Sequence, residues 1–194
     1  MGDTRTRLVD AALELLGEEQ RVTYDGVARG AGVSRQTVYT HFPTKPQLLV
    51  AAVERAREIA DVDTGIGAVY AAPTATAALD ALVELHGSFV PRFLGAHLAV
   101  ERERASDPDV ETAFANRSTG LRQLAAHIAT RLHAEGDLVA PWTVESAAEL
   151  IRAVTSGTFT AQLLHDAQWT TEQVGDRVRL LLRRTLLDNT KETS

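Results

Sequence analysis

Apolar residues recur at every third or fourth position along most of the chain, which is the spacing that places them on one face of an α-helix. In the first such segment they are Leu8, Ala11, Ala12, Leu15 and Leu16. The same periodicity predicts nine helices and no strand. The predicted helices cover residues 4–18, 24–31, 35–41, 46–60, 77–90, 93–104, 108–135, 144–166 and 171–188.

Residues that begin or end helices stand at the boundaries of these segments. Thr23 and Ser34 can accept hydrogen bonds from the first free backbone amides of the second and third helices. Gly32 tolerates the left-handed backbone that ends the second helix, and Pro43 stops the third. Residues 61–76 mix Gly, Pro, Thr and Ala, so the sequence predicts a connection there.

The composition also favours an all-α protein. The chain has 194 residues, of which 44% are hydrophobic and only 5% are aromatic. Low aromatic and proline content, together with abundant Ala, Leu, Arg and Glu, favours helices over sheets in a sum of intrinsic propensities. The length is sufficient for one or two compact domains.

Several kinds of site are excluded by what the sequence lacks. The chain has no cysteine, so a disulfide framework, a thiolate zinc site and a cysteine nucleophile are all ruled out. No segment approaches the roughly 18 to 20 uninterrupted apolar residues that span a bilayer, and no secretion signal is visible. We expect a cytoplasmic protein with no membrane contact, no metal and no cofactor.

The net charge of −6 is unusual for a protein that binds nucleic acid until it is divided along the chain. Residues 1–48 contain six basic and six acidic residues and are neutral overall, so the whole −6 lies in the remainder. Because salt screens exposed charges beyond about 8 to 10 Å, a distant acidic region need not cancel a local cationic surface. The total charge therefore does not exclude DNA as a partner.

The stretch VARGAGVSRQTVYTHFPTK, residues 27–45, carries the candidate chemistry. Its glycines follow a helix, and they lack both the downstream Gly-Lys-Ser/Thr and the preceding strand of a phosphate-binding loop. Ala28, Gly32 and Val38 instead have the spacing of a helix-turn-helix. The small Ala28 lets two helices approach, Gly32 makes the turn, and Val38 anchors the second helix.

The second helix of this motif begins with side chains that can read bases. Arg35 can bind O6 and N7 of guanine, Gln36 can bind N6 and N7 of adenine, and the Thr37 methyl group can contact a thymine methyl. The first turn of a recognition helix is the part that enters the major groove most deeply. The side chains suited to the flanking phosphates are Thr23, Tyr39, Thr40, His41 and Lys45.

Residues 23–45 resemble the DNA-binding segment of the TetR family of bacterial transcriptional regulators, most specifically in the ending Y-x-H-F-x-x-K. The resemblance implies a TetR-like fold, with a three-helix DNA-binding domain over residues 1–48 and a larger helical bundle for effector binding and dimerisation over residues 49–190. The implied function is transcriptional regulation by a homodimeric repressor, which a small-molecule ligand releases from a palindromic operator. The family's base readers match Arg35, Gln36 and Thr37, and its phosphate contacts match Thr23, Tyr39, His41 and Lys45.

Two features depart from the family pattern. The connection between the first two helices, residues 18–22, is short, and Gly26 and Gly30 replace better helix formers. Each interior glycine costs up to about 1 kcal/mol relative to alanine. We therefore expect a second helix of low stability that is held by docking onto the other two.

A single recognition helix buries too little surface for firm operator binding, so we expect a two-fold dimer. Two stripes at helical spacing near the C-terminus are candidates for its interface, although such stripes also pack into a chain's own core. The interface residues assigned from these stripes are Ile151, Val154, Thr158, Val174, Val178 and Leu181.

A ligand cavity needs apolar and amphipathic side chains between the DNA-reading helices and that interface. His97 and Glu101 stand at i and i+4, but no third residue completes a metal site, so a hydrogen-bonded pair is the better interpretation. Most such residues in a helical protein are ordinary core packing. The candidates are Phe89, Phe93, His97, Phe114 and Phe159.

No Ser/His/Asp set and no pair of carboxylates suggests catalysis, so an enzyme is not expected. The alternative is an all-helical ligand-binding or scaffold protein whose helix-turn-helix has no operator affinity. The sequence names neither the effector nor the operator, and it leaves repression and activation both open.

Overall fold

A computed structural model describes residues 3–18, 20–115 and 119–187 of the chain. These residues form twelve α-helices, one π-helical turn and an isolated antiparallel bridge between Leu138 and Leu187. The all-α prediction is confirmed, with twelve helices in place of nine. The elements are α1 (Thr4–Gly17), α2 (Tyr24–Ala31), α3 (Arg35–His41), α4 (Lys45–Ile59), α5 (Val62–Ala71), α6 (Ala75–Phe89), α7 (Leu94–Ser106), α8 (Pro108–Ala115), α9 (Thr119–Ala134), α10 (Val144–Val154), α11 (Gly157–Ala161), the π-helical turn (Gln162–Asp166) and α12 (Thr171–Leu186).

The helices predicted in the first third of the chain have nearly the predicted bounds. α2 and α3 begin and end at the predicted residues, α1 ends one residue earlier than predicted, and α4 both begins and ends one residue earlier. Within the predicted helix 108–135 the structure describes α8 and α9, and residues 116–118 between them lie outside the described chain.

The predicted connection over residues 61–76 is wrong, because α5 occupies most of it. Val62 and Val69 are buried and give α5 its packing face. Gly65 stands where α5 meets α6, and a Cβ atom there would lie 2.5 Å from Cδ1 of Leu85. This glycine permits two helices to pack closely and does not mark a loop.

The single helix predicted over residues 144–166 is also wrong, because α10 and α11 are separate. α10 ends where the Thr155 hydroxyl donates to the Ile151 carbonyl at 2.7 Å. The Ser156 hydroxyl then accepts the Phe159 amide and begins α11. Hydroxyl side chains of this kind compete with the backbone for hydrogen bonds, and this interrupts the helix. The apolar residues keep their helical spacing across the interruption, which is why the sequence predicts a single helix.

Helix contacts divide the chain into two compact units, and the first combines residues 1–60 and 92–117. Its helices α1, α2, α3, α4, α7 and α8 share one apolar core. The predicted helix-turn-helix therefore shares its core with two helices from a later part of the chain. The side chains of this core that are fully buried include Leu8, Ala12, Leu16, Val27, Val38, Leu48, Leu49, Ala52 and Val110.

Gly26 and Gly30 lie where α2 packs against α1. A Cβ atom at Gly30 would lie 3.1 Å from Cβ of Ala11, and one at Gly26 would lie 3.2 Å from Cδ1 of Leu15. Both distances are shorter than ordinary contacts between carbon atoms. The two glycines weaken α2 as an isolated helix, and they also bring its backbone close to α1.

The second unit combines residues 61–91 and 118–194 and contains α5, α6, α9, α10, α11 and α12. Its apolar core draws on each of the longer helices in this set. The large side chains that are fully buried there include Leu79, Leu82, Ile128, Leu132, Ile151, Leu182 and Leu186.

Two polar contacts connect helices inside this second unit. The buried side chains of His86 and Thr160 lie 2.7 Å apart, between α6 and α11. Asp80 accepts hydrogen bonds from two nitrogens of Arg183, at 3.2 and 2.9 Å, which joins α6 to α12. Each contact fixes the register of two helices that also share the core.

The predicted domain boundary at residue 48 lies inside α4, and the first compact unit continues to residue 60. The boundary remains a prediction about where the DNA-binding function ends. No helix among the described residues has both the length and the apolar run that a membrane span needs. The same part of the chain contains no group of three or more His, Asp or Glu side chains placed to hold a metal ion.

Candidate nucleic-acid interface

The turn between α2 and α3 has the geometry that the sequence predicts. Gly32 has φ 64° and ψ 41°, in the left-handed region. The Val33 amide donates to the Ala28 carbonyl at 2.9 Å, which closes the end of α2. Val38 is fully buried and anchors α3 in the core of the first unit.

Ser34 caps α3 and orders its first turn. Its hydroxyl accepts the Thr37 amide at 3.1 Å and lies 2.9 Å from the Thr37 hydroxyl. Thr37 is half-buried, whereas Arg35 and Gln36 are exposed. Thr40 is exposed one turn later, and its hydroxyl donates to the Gln36 carbonyl at 3.0 Å. Both long side chains that can reach base edges, Arg35 and Gln36, are therefore exposed to solvent.

Arg35 is held by two neighbouring side chains. Its Nη1 donates to both carboxylate oxygens of Asp25, at 3.1 and 3.4 Å, and its Nη2 donates to the Tyr39 hydroxyl at 3.1 Å. Its Cζ atom lies 5.5 Å from the centre of the Tyr39 ring. The hydrogen bond to Tyr39, followed by the charge of Asp25, raises the pKa of Arg35 above its ordinary value. The guanidinium thus remains fully charged.

An aromatic pair supports Tyr39. The rings of Tyr24 and Tyr39 meet edge to face, with centroids 4.3 Å apart and planes at 85°. The Tyr24 hydroxyl donates to the carbonyl of Phe42 at 2.8 Å, and burial raises the pKa of Tyr24. Tyr39 is 39% exposed, and because its oxygen accepts from Arg35, its own proton remains available to a phosphate.

Two further predicted phosphate contacts lie at helix ends. Thr23 is exposed at the N-terminus of α2, where its hydroxyl accepts the Gly26 amide at 3.1 Å. The free amides and the dipole at this end of a helix favour an anion. His41 is exposed in the last turn of α3. Both positions suit the predicted role, which remains a prediction.

Lys45 is already paired within the chain. Its Nζ donates to Oε2 of Glu103 at 2.7 Å, and Nε of Arg21 lies 4.0 Å from Oε1 of the same carboxylate. The side chains of Lys45 and Glu103 are only 26% and 11% exposed. Because a carboxylate with little access to water needs a counter-charge, Lys45 has a structural role in the first unit. Its predicted phosphate contact requires the ammonium group to be shared between Glu103 and DNA.

Asp25 and Glu103 are site residues that the sequence analysis missed. Asp25 is recognisable once it is placed on α2, because the two helices of the motif pack together and its carboxylate meets Arg35. Glu103 lies 58 residues after Lys45. No local pattern connects two charges so far apart in the chain, and only the fold brings α7 to the start of α4.

The predicted ligand-pocket residues are distributed over both units. Phe93 lines a cavity of about 410 Å³ in the first unit, together with Leu13, Ile59 and Ala96 among others. Phe114 is buried in the core of the same unit. Two other candidates, Phe89 at the end of α6 and Phe159 in α11, lie in the second unit and are half-buried.

His97 presents a buried nitrogen atom in the first unit. Its Nε2 atom has no hydrogen-bond partner, so the expected hydrogen bond to Glu101 is not made through that atom. Burial lowers the pKa of His97 below its ordinary value of 6.5; the charge of Glu101 acts in the opposite direction, and that of Arg104 lowers the pKa further. The ring is therefore neutral at physiological pH.

Four of the six predicted interface residues face the core of their own unit. A side chain buried in this way has no surface left for a second copy, so these four assignments are corrected. The periodic stripe identified the apolar face of each helix, and that face packs inward. Thr158 and Leu181 are exposed, as is the neighbouring Leu180. The four buried residues are Ile151, Val154, Val174 and Val178.

Residues 8–52 match the family model described as bacterial regulatory proteins, tetR family. Over 135 residues the chain is also 33% identical to the HTH-type transcriptional regulator BetI of Rhizobium meliloti (strain 1021), a match that covers 66% of this chain and 60% of BetI. The N-terminal segment of the chain belongs to the TetR family. Over 63 residues the chain is 38% identical to the uncharacterized HTH-type transcriptional regulator TtgW of Pseudomonas putida, a match that covers 31% of the chain and 47% of TtgW. It thus matches less than two thirds of the length of either relative.

Solved structures extend the similarity in fold to most of the length of the chain. A Saccharomonospora viridis protein in complex with choline superposes with a TM-score of 0.78 over 95% of this chain and 98% of that one, at 19% identity. The transcriptional regulator FadR from Bacillus subtilis, in complex with stearoyl-CoA, gives a TM-score of 0.73 over 93% and 98%, also at 19% identity. Likeness at this level of identity shows the fold alone, and the predicted TetR-like fold is confirmed.

Proposed function

We propose that this protein is a sequence-specific DNA-binding regulator of transcription that acts in the cytoplasm. The observation that carries the proposal is the first turn of α3, where Arg35 and Gln36 are exposed on a helix anchored by the buried Val38. These two side chains have the hydrogen-bonding groups that distinguish guanine and adenine in the major groove. Thr23 and Tyr39 offer groups that suit the adjoining phosphates.

The regulator binds a palindromic operator as a homodimer. One recognition helix reads too few base pairs for firm binding, and a two-fold dimer doubles the contact surface. Leu180 and Leu181 on α12 are 45% and 43% exposed, and Thr158 is exposed on α11. Removing two leucines of each copy from water favours association, since burial of apolar area is the main driving force for it.

A small-molecule ligand releases the regulator from DNA, so that it acts as a repressor. The cavity beside Phe93 has about 410 Å³, a volume within the range of small-molecule pockets, and Arg55 and Arg92 are among the polar groups that line it. Structures of the same fold hold choline in one protein and stearoyl-CoA in another, which supports a ligand-responsive fold. The ligand acts by binding more tightly to a form with lower operator affinity. Of the five candidate residues named from the sequence, Phe93 borders this cavity.

A binding selection tests the DNA-binding proposal. The wild-type protein selects its preferred duplex from a random pool, and fluorescence anisotropy then measures its affinity for that duplex and for an unrelated one at several salt concentrations. We expect Arg35→Ala to weaken binding to the selected duplex by about 10-fold or more, the size of one lost bidentate base contact. All affinities should fall as salt rises, because phosphate contacts release counterions.

The matched control for this experiment is Arg122→Ala, which removes an exposed arginine from α9. It should bind the selected duplex as the wild type does. If no duplex is enriched, or if Arg35→Ala binds the selected duplex as tightly as the wild type, the proposal fails. An all-helical ligand-binding or scaffold protein would then be the better description.

A further inference from the structure

We propose that Asp25 is a specificity-determining residue, which acts on DNA through the side chain of Arg35. The inference rests on the proposed function, because it concerns how a base-reading side chain is held. An acidic residue on a DNA-binding surface repels phosphates and lowers affinity for every sequence. Asp25 lies in the first turn of α2, within hydrogen-bond distance of Arg35, and its side chain is 61% exposed.

The contacts of Arg35 leave enough donors to read a base. A guanidinium has five N–H groups. Asp25 engages Nη1 and Tyr39 engages Nη2 once, so Nε and the second hydrogen of Nη2 remain free in this geometry. A guanine requires two donors, for O6 and N7. Asp25 therefore orients Arg35 without occupying the edge that a guanine would need.

The opposite side of Arg35 is held firmly as well. Tyr39 packs edge to face on Tyr24, and the Tyr24 hydroxyl is bonded to the Phe42 carbonyl. The guanidinium thus lies between a carboxylate on α2 and an aromatic side chain on α3. A long side chain that is ordered before binding loses less conformational freedom when it meets its base.

The charge of Asp25 acts differently on the two kinds of DNA. On an unrelated sequence, an unrestrained Arg35 would turn to the nearest phosphate, and Asp25 opposes this movement by attraction and by repelling the phosphate. On the operator, Arg35 binds its base and keeps Asp25 as a partner. Asp25 consequently weakens non-specific binding more than operator binding, and the ratio of the two affinities rises.

Removing the carboxylate tests this account. Asp25→Ala should bind an unrelated duplex several-fold more tightly than the wild type, with a salt dependence steeper by about one phosphate contact. The affinity for the duplex that the wild type selects should not rise in parallel, so the specificity ratio should fall by about 10-fold. Asp25→Asn removes the charge but keeps an oxygen acceptor, and it should show the same gain on the unrelated duplex with a smaller loss of ratio.

Two controls separate this effect from a general change in charge or folding. Asp109→Asn removes an exposed carboxylate from the first turn of α8 and should leave the ratio unchanged. Asp25 forms an exposed ion pair that contributes little to stability, so its variants should melt within a few degrees of the wild type. In an Arg35→Ala background, Asp25→Ala should have no further effect on the specificity ratio, because the arginine side chain through which Asp25 acts is absent.

The outcomes distinguish this inference from the proposed function. If the wild type shows no preference for any duplex, both fall. If the wild type discriminates and Asp25→Ala keeps the wild-type ratio, the role of Asp25 is overturned and the regulator remains. If Asp25→Ala lowers the ratio equally in the Arg35→Ala background, Asp25 does not act through Arg35, and the inference is likewise overturned.

Discussion

Charged side chains of the candidate interface are bonded to one another before any DNA is present. Arg35 is held by Asp25 and Tyr39, and Lys45 is held by Glu103. The sequence identified Arg35 and Lys45 because residue type and spacing reveal what each can bind. It did not identify the acidic partners, because the packing of helices determines which charges meet. The fold therefore determines which side chains pair with each other, whereas the residue type alone predicts what each side chain can bind.

The pair formed by Lys45 and Glu103 predicts a loss of stability when it is broken. Lys45→Ala leaves a carboxylate that is 11% exposed with only Arg21, at 4.0 Å, as a counter-charge. We expect the free energy of unfolding to fall by about 1 to 3 kcal/mol, measured by urea denaturation at neutral pH. A double variant with Lys45→Met and Glu103→Met should recover most of the loss, since no unpaired charge remains. An unchanged unfolding midpoint for Lys45→Ala would contradict the structural role.

The buried ring of His97 predicts a sensitivity to acid. Since burial lowers its pKa below 6.5, the unfolded chain binds a proton at a pH where the folded chain does not. The stability that this difference contributes is complete above about pH 6.5 and is lost as pH falls through the folded-state pKa. His97→Gln should reduce the decline in melting temperature between about pH 7.5 and 5.5, measured by circular dichroism. His133→Gln, at an exposed position on α9, is the control, and identical pH profiles for wild type and His97→Gln would refute the prediction.

At the level of helices, the sequence pattern predicts where many helices begin and end, but it does not predict how they pack. The bounds of α2 and α3 were predictable because Thr23, Gly32 and Ser34 leave local signals where helices begin and end. α5 was not predictable, since Gly65 reads as a loop residue and in fact serves a close helix contact. The spacing of apolar residues along a helix also does not show whether helices of the same chain or a second copy cover them. Val174 was therefore predicted to contact a second copy, whereas it lies in the core of its own unit.

Close packing at Gly30 predicts that alanine will not stabilise α2. In an open helical position, glycine to alanine gains up to about 1 kcal/mol. Gly67 in α5 is such a position, because a Cβ atom there meets nothing within 4 Å. At Gly30 the added atom lies 3.1 Å from Cβ of Ala11, so α1 must shift. Thermal unfolding should show a gain for Gly67→Ala and none, or a loss, for Gly30→Ala; equal gains would show that α1 yields freely.

The whole molecule has its excess of negative charge outside the segment where the DNA contacts are proposed. Residues 1–48 carry six basic and six acidic residues and are neutral overall, and the remainder carries the −6. Binding must therefore depend on the placement of a few cations, and the acidic remainder disfavours contact elsewhere on the protein. The assembly of two copies belongs to this scale as well. The dimer interface cannot be predicted from the helical spacing of apolar residues alone, because only exposed side chains are available to a second copy.

Leu181 predicts the effect of breaking the proposed dimer. Leu181→Asp adds a charge at a position that is 43% exposed, so the chain should still fold. We expect sedimentation equilibrium to show a monomer and operator affinity to fall by about 100-fold or more, since a single half-site remains. Ala126→Asp, at an exposed position on α9, is the control and should remain dimeric. A dimer that persists in Leu181→Asp would place the interface elsewhere.

The first compact unit is assembled from two separate stretches of chain, residues 1–60 and 92–117. A Cβ atom at Gly95 would lie 2.6 Å from the carbonyl oxygen of Gly17, so α1 and α7 touch at the level of their backbones. The ribosome delivers α1 to α4 first and α7 only after the intervening residues have been made. A nascent chain that ends at residue 60 leaves apolar faces of α1 and α4 uncovered, and it leaves Lys45 without Glu103. The unit that carries α3 is thus completed only after α7 and α8 have also emerged from the ribosome.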